Sequence, residues 1–298
     1  MTLAVVAHAG KSVGGGLHEL RRRLEAEGVT DPLWLEVPKS KKAPEQVRKA
    51  LRAGVDAVLV WGGDGTVQRC ADAMAGSDVA LAVVPAGTAN LFATNLGIPQ
   101  DIEGAVGVAI HGERRRLDVG SMNGERFVVM AGAGFDARMI GEADAGLKDR
   151  LGKLAYVVTG AKALQADQFR ARLKVDRTTW FEGEASAVLV GNVGTIMGGV
   201  EAFERARPDD GLLEIGVVTA DGLVEWARTL GRAAAGTTAR SPFVETTSGR
   251  RIRVKLDRKV AYELDGGERG KTRKLAIDVE PAALTVCLPP RHRRQPAG

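Results

Sequence analysis

The stretch VDAVLVWGGDGT, residues 55–66, does most to limit the folds open to this chain. VDAVLVW is apolar without alternation, the pattern of a strand buried on both faces in a helix-covered parallel sheet. Gly62, Gly63 and Gly65 follow around Asp64, and TVQRCADAMAG then reads as a helix. A buried strand that ends in small residues and runs into a helix places a site at the carboxyl edge of an α/β sheet. Without Cβ atoms, the backbone at these glycines can take positive φ and admit an anion to its N–H groups, while the helix points its positive end at the same place. A triphosphate would sit well there. Asp64 is the odd member, because a carboxylate beside phosphates repels them unless a cation such as Mg²⁺ bridges the two, or unless the acid does catalysis or orients a hydroxyl. Helix capping is the other reading of Asp64.

VALAVVPAGTANLFATNLGIP, residues 79–99, repeats the design: a buried strand, then Pro85, Ala86 and Gly87, then Thr88 and Asn90 opening a helix. Two neighbouring strand ends thus offer small residues, a hydroxyl and an amide to one crevice. Elsewhere in the first third, LAVVAH reads as a strand, and LHELRRRLEAE and APEQVRKALRA read as helices. From about residue 117 the texture changes to short alternating segments separated by Gly, Asn and Asp, among them RLDVGSM, RFVVMAG, ARLKVD, ASAVLVGN, LLEIGVV, RIRVKL, VAYEL, KLAIDV and LTVCL. Helical stretches near 150–165 and 222–235 interrupt them. The expected architecture is an α/β nucleotide-binding domain with an open, mostly parallel sheet over 1–120, a β-rich antiparallel sandwich domain over 121–290, and a loosely ordered basic tail over 291–298.

At 298 residues, 44% of them hydrophobic, the chain has enough apolar material for two cores. Cys70 and Cys287 lie far apart with no metal-type spacing, which fits a reducing cytoplasm. No apolar run reaches the ~18–20 residues that a spanning helix needs. The net charge of +5 is concentrated in Lys39–Lys42, Arg114–Arg116, Arg250–Arg258 and Arg291–Arg294. Such clusters suit anionic partners or are solvated surface. GKS at 10–12 mimics the end of a P-loop, but the glycine needed five positions earlier is Val5, so that reading fails. Gly14, Gly15 and Gly16 remain either a flexible turn or backbone donors for a phosphate. His8, His18, His111 and His292 show no metal spacing, and Trp61 and Trp180 read as packing residues. Trp226, beside Leu223, Leu230 and Arg228, reads either as lipid-facing or as part of an ordinary amphipathic helix.

GGDGT, PAGTANLFATNLGIP, LDVGSMNGERFVVMAGAGFDARM, LGKLAY, GNVGTIMGGVEAFERARPDDGLLEIGVV and YELDGGERG with PAALTVCLP together resemble the diacylglycerol kinase catalytic-domain family, in particular its soluble bacterial lipid kinases, along nearly the whole chain. GGDGT alone is also similar to the distantly related NAD kinases. The resemblance implies an ATP- and Mg²⁺-dependent kinase with a cleft between two domains, acting on diacylglycerol or a similar lipid at a transiently contacted anionic membrane surface. It implies no nucleic-acid partner and leaves a homodimer open. By position, Gly62, Gly63, Asp64, Gly65 and Thr66 would line the nucleotide phosphates, with Gly87, Thr88 and Asn90 completing the site and Ser40 near ATP. Asp210 and the Leu212 carbonyl would match a structural Mg²⁺ site, at which Arg207 stands in place of a ligating serine. Asp265, Glu268 and Asp64 are the catalytic candidates. A lipid hydroxyl needs a base within reach while the transferring phosphoryl is stabilised. The family glutamate two positions after the motif aspartate falls on Gly267, so either Glu268 swings in, or Asp265 is the base, or activity is reduced to nucleotide or lipid binding. AHAG likewise occupies the place of the family's Asn-Pro turn. Asp118 and Asp136 could join Asp64 in an acidic network or serve as turn-forming acids.

Overall fold

The computed structural model describes residues 1–134, 168–196, 200–234 and 241–290. Asp136, the LGKLAY helix and the tail 291–298, with His292, lie outside the described residues. The chain divides into two compact units, one of Met1–Leu117 joined by the segment from Ala283, the other of Asp118–Ala282.

In the first unit β1 (Leu3–His8), β2 (Leu33–Val37), β3 (Ala57–Gly62) and β4 (Ala80–Pro85) form parallel ladders in the order β4-β3-β1-β2. Every residue of β3 and β4 is buried, as their unbroken apolar runs predict. The helices α1 (Gly16–Ala26), α2 (Ala43–Arg52) and α3 (Asp64–Met74) connect these strands. Val67, Cys70, Ala71 and Met74 follow the i, i+3, i+4, i+7 pattern and are the buried stripe of α3. The short α4 (Leu91–Asn95) and α5 (Ile102–His111) follow β4, and α5 is capped by Asp101, whose carboxylate accepts the Gly104 N–H at 2.8 Å. The chain places β2 on one side of β1 and β3 on the other, so the loops after β1 and β3 flank the switch point where α/β sheets bind ligands. Trp61 is fully buried, and its indole N–H reaches the Lys11 carbonyl at 3.1 Å, tying β3 to the loop after β1. Cys70 and Cys287 are free, buried thiols.

β5 (Glu113–Met122) runs from the first unit into the second, where β6 (Glu125–Phe127) and β7 (Met130–Ala133) follow. Then come β8 (Phe169–Val175), β9 (Thr178–Ala185), β10 (Ala187–Gly191) and the small pair β11 (Thr195–Ile196) and β12 (Val200–Glu201). β13 (Leu213–Val218), β14 (Val244–Gly249), β15 (Arg251–Leu264) and β16 (Gly267–Leu288) complete it. The ladders are antiparallel, in the order β14-β13-β10-β7-β15, with β8 and β16 also paired to β15. Phe127, Phe169, Leu173, Ile215, Ile252 and Leu264 are among the residues of its core, against which Trp180 packs.

Two expectations change here. RIRVKL and VAYEL join across a bulge between Lys255 and Val260 into the single strand β15. The end of β16 also leaves the second unit: Val286 pairs in parallel with Leu81 of β4, so residues from Ala283, expected within the 121–290 domain, belong to the first. Trp226, on the helix Gly222–Ala234, is 3% exposed, which excludes the lipid-facing reading of its ring.

Among the described residues, three hairpins use two-residue loops: Asn123-Gly124, Asp176-Arg177 and Asp265-Gly266. All six residues have positive φ, at 52° and 87°, 46° and 78°, and 45° and 73° in turn, which is the type I′ geometry matched to strand twist.

Candidate functional site

β3 ends at Gly62, and Gly63 caps α3 in extended backbone, φ −92° and ψ −179°. None of Gly62, Gly63 and Gly65 takes a positive φ, so the conformational freedom expected of them is not what the fold uses. Their smallness is used for close approach. A Cβ on Gly62 would stand 2.6 Å from the Thr66 Cβ, and one on Gly87 would stand 2.5 Å from the Gly63 Cα and 2.7 Å from Asn90 Oδ1. The loops after β3 and β4 therefore meet backbone to backbone. Gly65 is the exception: it is exposed, with nothing within 4 Å of where its Cβ would be.

The remaining residues hold this seam. Thr66 is 3% exposed with its side chain beneath Gly62, and the N–H groups of Thr66 and Val67 donate to the Gly63 carbonyl at 2.8 and 3.1 Å. Asn90 sits in the left-handed region at φ 48°. Its carboxamide accepts the Gly87 N–H at 2.8 Å and donates to the Gly87 carbonyl and to Gln100 Oε1, both at 3.1 Å. The amide expected to meet a ligand thus closes its own loop, and Thr88 and Ala89 are the exposed side chains there. The turn Ser40–Lys42, one residue-pair beyond β2, packs beside α3 with Ser40 half-buried.

Asp64 reaches across the seam: its Oδ1 accepts the Phe92 N–H at 3.1 Å at the start of α4. A backbone donor of the neighbouring loop thus holds one oxygen of this acid. Burial raises its pKa, against the opposing pull of the backbone N–H groups of Phe92, Leu91 and Asn90. With a folded pKa above the ordinary 3.8, the folded state holds the proton more tightly than the unfolded chain does. Stability from this group is therefore full below 3.8 and falls as pH rises from there through the folded value. Asp64→Asn removes that titration, and thermal melts across this window are expected to show a flatter Tm–pH profile than wild type. Superimposable profiles would contradict the assignment.

In the second unit, Asp265 is the first residue of the β15–β16 turn and is 7% exposed. Its Oδ2 accepts the Val128 N–H at 2.9 Å, and its Oδ1 accepts those of Val129 and Met130 at 2.9 and 2.8 Å. Its own N–H donates to the Met130 carbonyl at 2.8 Å. This carboxylate is thus turned inward onto three backbone donors, which stabilise its charge where it lies. Glu268 is exposed on β16, across the ladder from Glu263. The space a side chain at Gly267 would need is filled by the Arg269 guanidinium, which donates to the Gly267 carbonyl at 2.7 Å and grips Glu125 through Nε and Nη2 at 2.7 and 2.5 Å. Sequence reading missed Arg269 and Glu125. An Asp-Gly pair between strand-like runs is, however, a strong hairpin signal that identifies Asp265 as a turn residue.

Asp118 is 4% exposed. Its carboxylate accepts the Gly211 and Ala282 N–H groups at 2.6 and 2.7 Å, and its N–H donates to Pro208 at 2.7 Å, fixing the PDDG loop. In that loop Asp210 is exposed, with Oδ1 accepting the Leu212 N–H at 3.0 Å. Glu214 has its pKa raised first by burial and then by the charge of Asp210, with Arg205 opposing. Two acids and backbone oxygens are hard donors that fit Mg²⁺, although among the described residues no three His, Cys, Asp or Glu side chains form a metal cluster. His8 Nδ1 accepts the Gly10 N–H at 3.1 Å and His111 pairs with Glu27 at 2.7 Å, neither beside a metal-type group.

Along the chain, a parallel sheet whose β3 and β4 loops meet at Gly63 and Gly87 is followed by an antiparallel β unit. The model of the diacylglycerol kinase catalytic domain matches residues 3–122, and that of the YegS C-terminal NAD kinase beta sandwich-like domain matches 129–288. A Pseudomonas aeruginosa protein named probable lipid kinase YegS-like is 34% identical over 82% of this chain and 80% of its own length. An Escherichia coli probable lipid kinase YegS is 31% identical over 92% and 91%. The chain belongs to the diacylglycerol kinase catalytic-domain family, with a YegS-type second domain. The solved structure of a diacylglycerol kinase from Bacillus anthracis has the same fold, with a TM-score of 0.78, 24% identity and 97% coverage of both chains. An NAD kinase from Archaeoglobus fulgidus in complex with ATP is a distant neighbour, with a TM-score of 0.54 at 12% identity over 96% of this chain and 93% of that one.

Proposed function

We propose that the chain transfers the γ-phosphoryl group of MgATP to the hydroxyl of diacylglycerol, or of a closely related membrane lipid. The observation that carries this reading is the glycine seam at the ends of β3 and β4, with Gly65 and Thr88 exposed on it. The names of the relatives supply the substrate class. Gly65 and Thr88 would meet the nucleotide phosphates, and Gly62, Gly63, Asp64, Thr66, Gly87 and Asn90 would keep the cradle in shape with Ser40 alongside. Asp210 and the Leu212 carbonyl would hold a structural Mg²⁺ that fixes the PDDG loop. The basic surface favours transient docking on an anionic membrane, at on the order of 1 kcal/mol per Lys or Arg near the surface.

Because Asp265 faces inward and Glu268 is exposed, Glu268 takes the role of proton acceptor and Asp265 positions the turn. Glu268→Gln is expected to lower kcat by about 10²–10⁴-fold while leaving Tm unchanged. An unchanged kcat would move the acceptor elsewhere. Acceptor choice is tested by ADP release over a panel of diacylglycerol, monoacylglycerol, a long-chain amino alcohol and NAD. Diacylglycerol should give the highest kcat/KM. Preferential turnover of NAD would revive the NAD kinase alternative, and tight ATP binding without any turnover would support the reading in which Gly267 marks lost catalysis.

A further inference from the structure

The turn between β8 and β9 places an arginine where the backbone favours glycine. Asp176 and Arg177 are its two central residues, at φ 46° and 78°. Type I′ turns prefer Asn-Gly and Asp-Gly, and the other two hairpins of this type here carry glycine at the second position, Gly124 and Gly266. A branched-off Cβ at positive φ is strained, and strain of this kind persists where the side chain is put to use.

Arg177 stands over a pocket of about 420 Å³ that it lines with Asp176, Arg250, Arg251, Asp278 and Val279. The acids there are already occupied. Asp176 Oδ1 accepts the backbone N–H groups of Arg250 and Arg251 at 3.1 and 2.9 Å, and a side chain at Gly249 would collide with Val175 and crowd Asp176. Asp278 takes both its bonds from Arg253, at 3.0 and 2.9 Å, and pairs with Arg251 at 3.4 Å. The guanidinium groups of Arg177 and Arg250 have no hydrogen-bond or ion-pair partner among the described residues, and both are exposed. Two unengaged planar forks at the mouth of a small pocket, with Arg251 beside them and Val279 on its wall, match the oxygen geometry of phosphate.

We propose that this pocket binds the phosphate group of a phosphate ester, in a phospholipid head group or a soluble metabolite. The assignment is independent of the proposed activity. Its test uses the full chain and two probes: glycerol 3-phosphate by calorimetric titration, and vesicles of phosphatidylglycerol or phosphatidylcholine by sedimentation. Arg177→Gly relieves the turn, so it should hold or raise Tm while weakening binding on the order of tenfold, the size expected for one charge-assisted contact. Arg250→Ser should weaken binding similarly, and Arg48→Ser, an equal loss of charge on α2, should not. Binding of glycerol 3-phosphate identifies a soluble source; retention on phosphatidylglycerol vesicles alone identifies the bilayer. The proposal is overturned if wild type binds neither probe, if Arg177→Gly and Arg250→Ser bind as wild type does, or if Arg48→Ser loses as much as they do.

Discussion

Asp265→Ala is expected to lower Tm by roughly 6–12 °C, the consequence of about 3 kcal/mol lost from a unit of this size. The Ala side chain accepts nothing, so the N–H groups of Val128, Val129 and Met130 lose the carboxylate oxygens they share. Each buried donor left unmade costs about 1–3 kcal/mol, less whatever water recovers. The β15–β16 turn also loses the residue type that tolerates φ 45°. Asp265→Asn keeps one acceptor oxygen and should fall between wild type and Ala. Activity should track the folded fraction, so that assays well below the new Tm recover much of it. A purely catalytic Asp265 would give the opposite result: Tm unchanged in both variants, with activity lost at every temperature.

Gly87→Ala is expected to weaken ATP binding at least tenfold, about 1.4 kcal/mol, and to cost about 1–3 kcal/mol of stability. Its new Cβ would meet the Gly63 Cα at 2.5 Å and Asn90 Oδ1 at 2.7 Å. Gly63 is backbone at the junction of β3 and α3, so the seam can open only by moving the end of a buried strand. Gly65→Ala makes the informative contrast. Nothing lies within 4 Å of its Cβ position, and alanine favours a helix over glycine by about 1 kcal/mol. That variant should be as stable as wild type or more so, and still bind ATP more weakly because the new methyl occupies the ligand's approach. Nucleotide titration beside thermal melts separates the two. Equal ATP affinities in both variants and wild type would remove the seam from the site.

Much of the first unit is legible in the sequence because burial on both faces leaves a direct trace: unbroken runs such as AVLVW and ALAVV can be little other than central parallel strands. The reason for its glycines is not legible. Gly63 and Gly87 are 24 positions apart in the chain, and only the pairing of β3 with β4 reveals that each is small because of the other. Asp64, Asn90 and Asp265 are read as ligand-facing from residue type and motif position, yet Asp64 and Asp265 direct their carboxylates to backbone groups of another loop and Asn90 closes its own. Hydrogen-bond partners distant in sequence are set by tertiary structure, which periodicity does not encode. The return of the segment from Ala283 to β4 is hidden for the same reason, since LTVCL reads alike as an antiparallel strand or as the last parallel one.

Phosphorylation of a lipid hydroxyl from ATP can be measured on the purified chain. The direct measurement is transfer of labelled γ-phosphate from MgATP in mixed micelles containing diacylglycerol, with NAD as the soluble control and Gly87→Ala as the protein control. The expected result is labelled phosphatidic acid from wild type, little from Gly87→Ala, and no label in NAD. Label in NAD, or none in lipid from a folded protein that binds ATP, would contradict lipid phosphorylation by this chain.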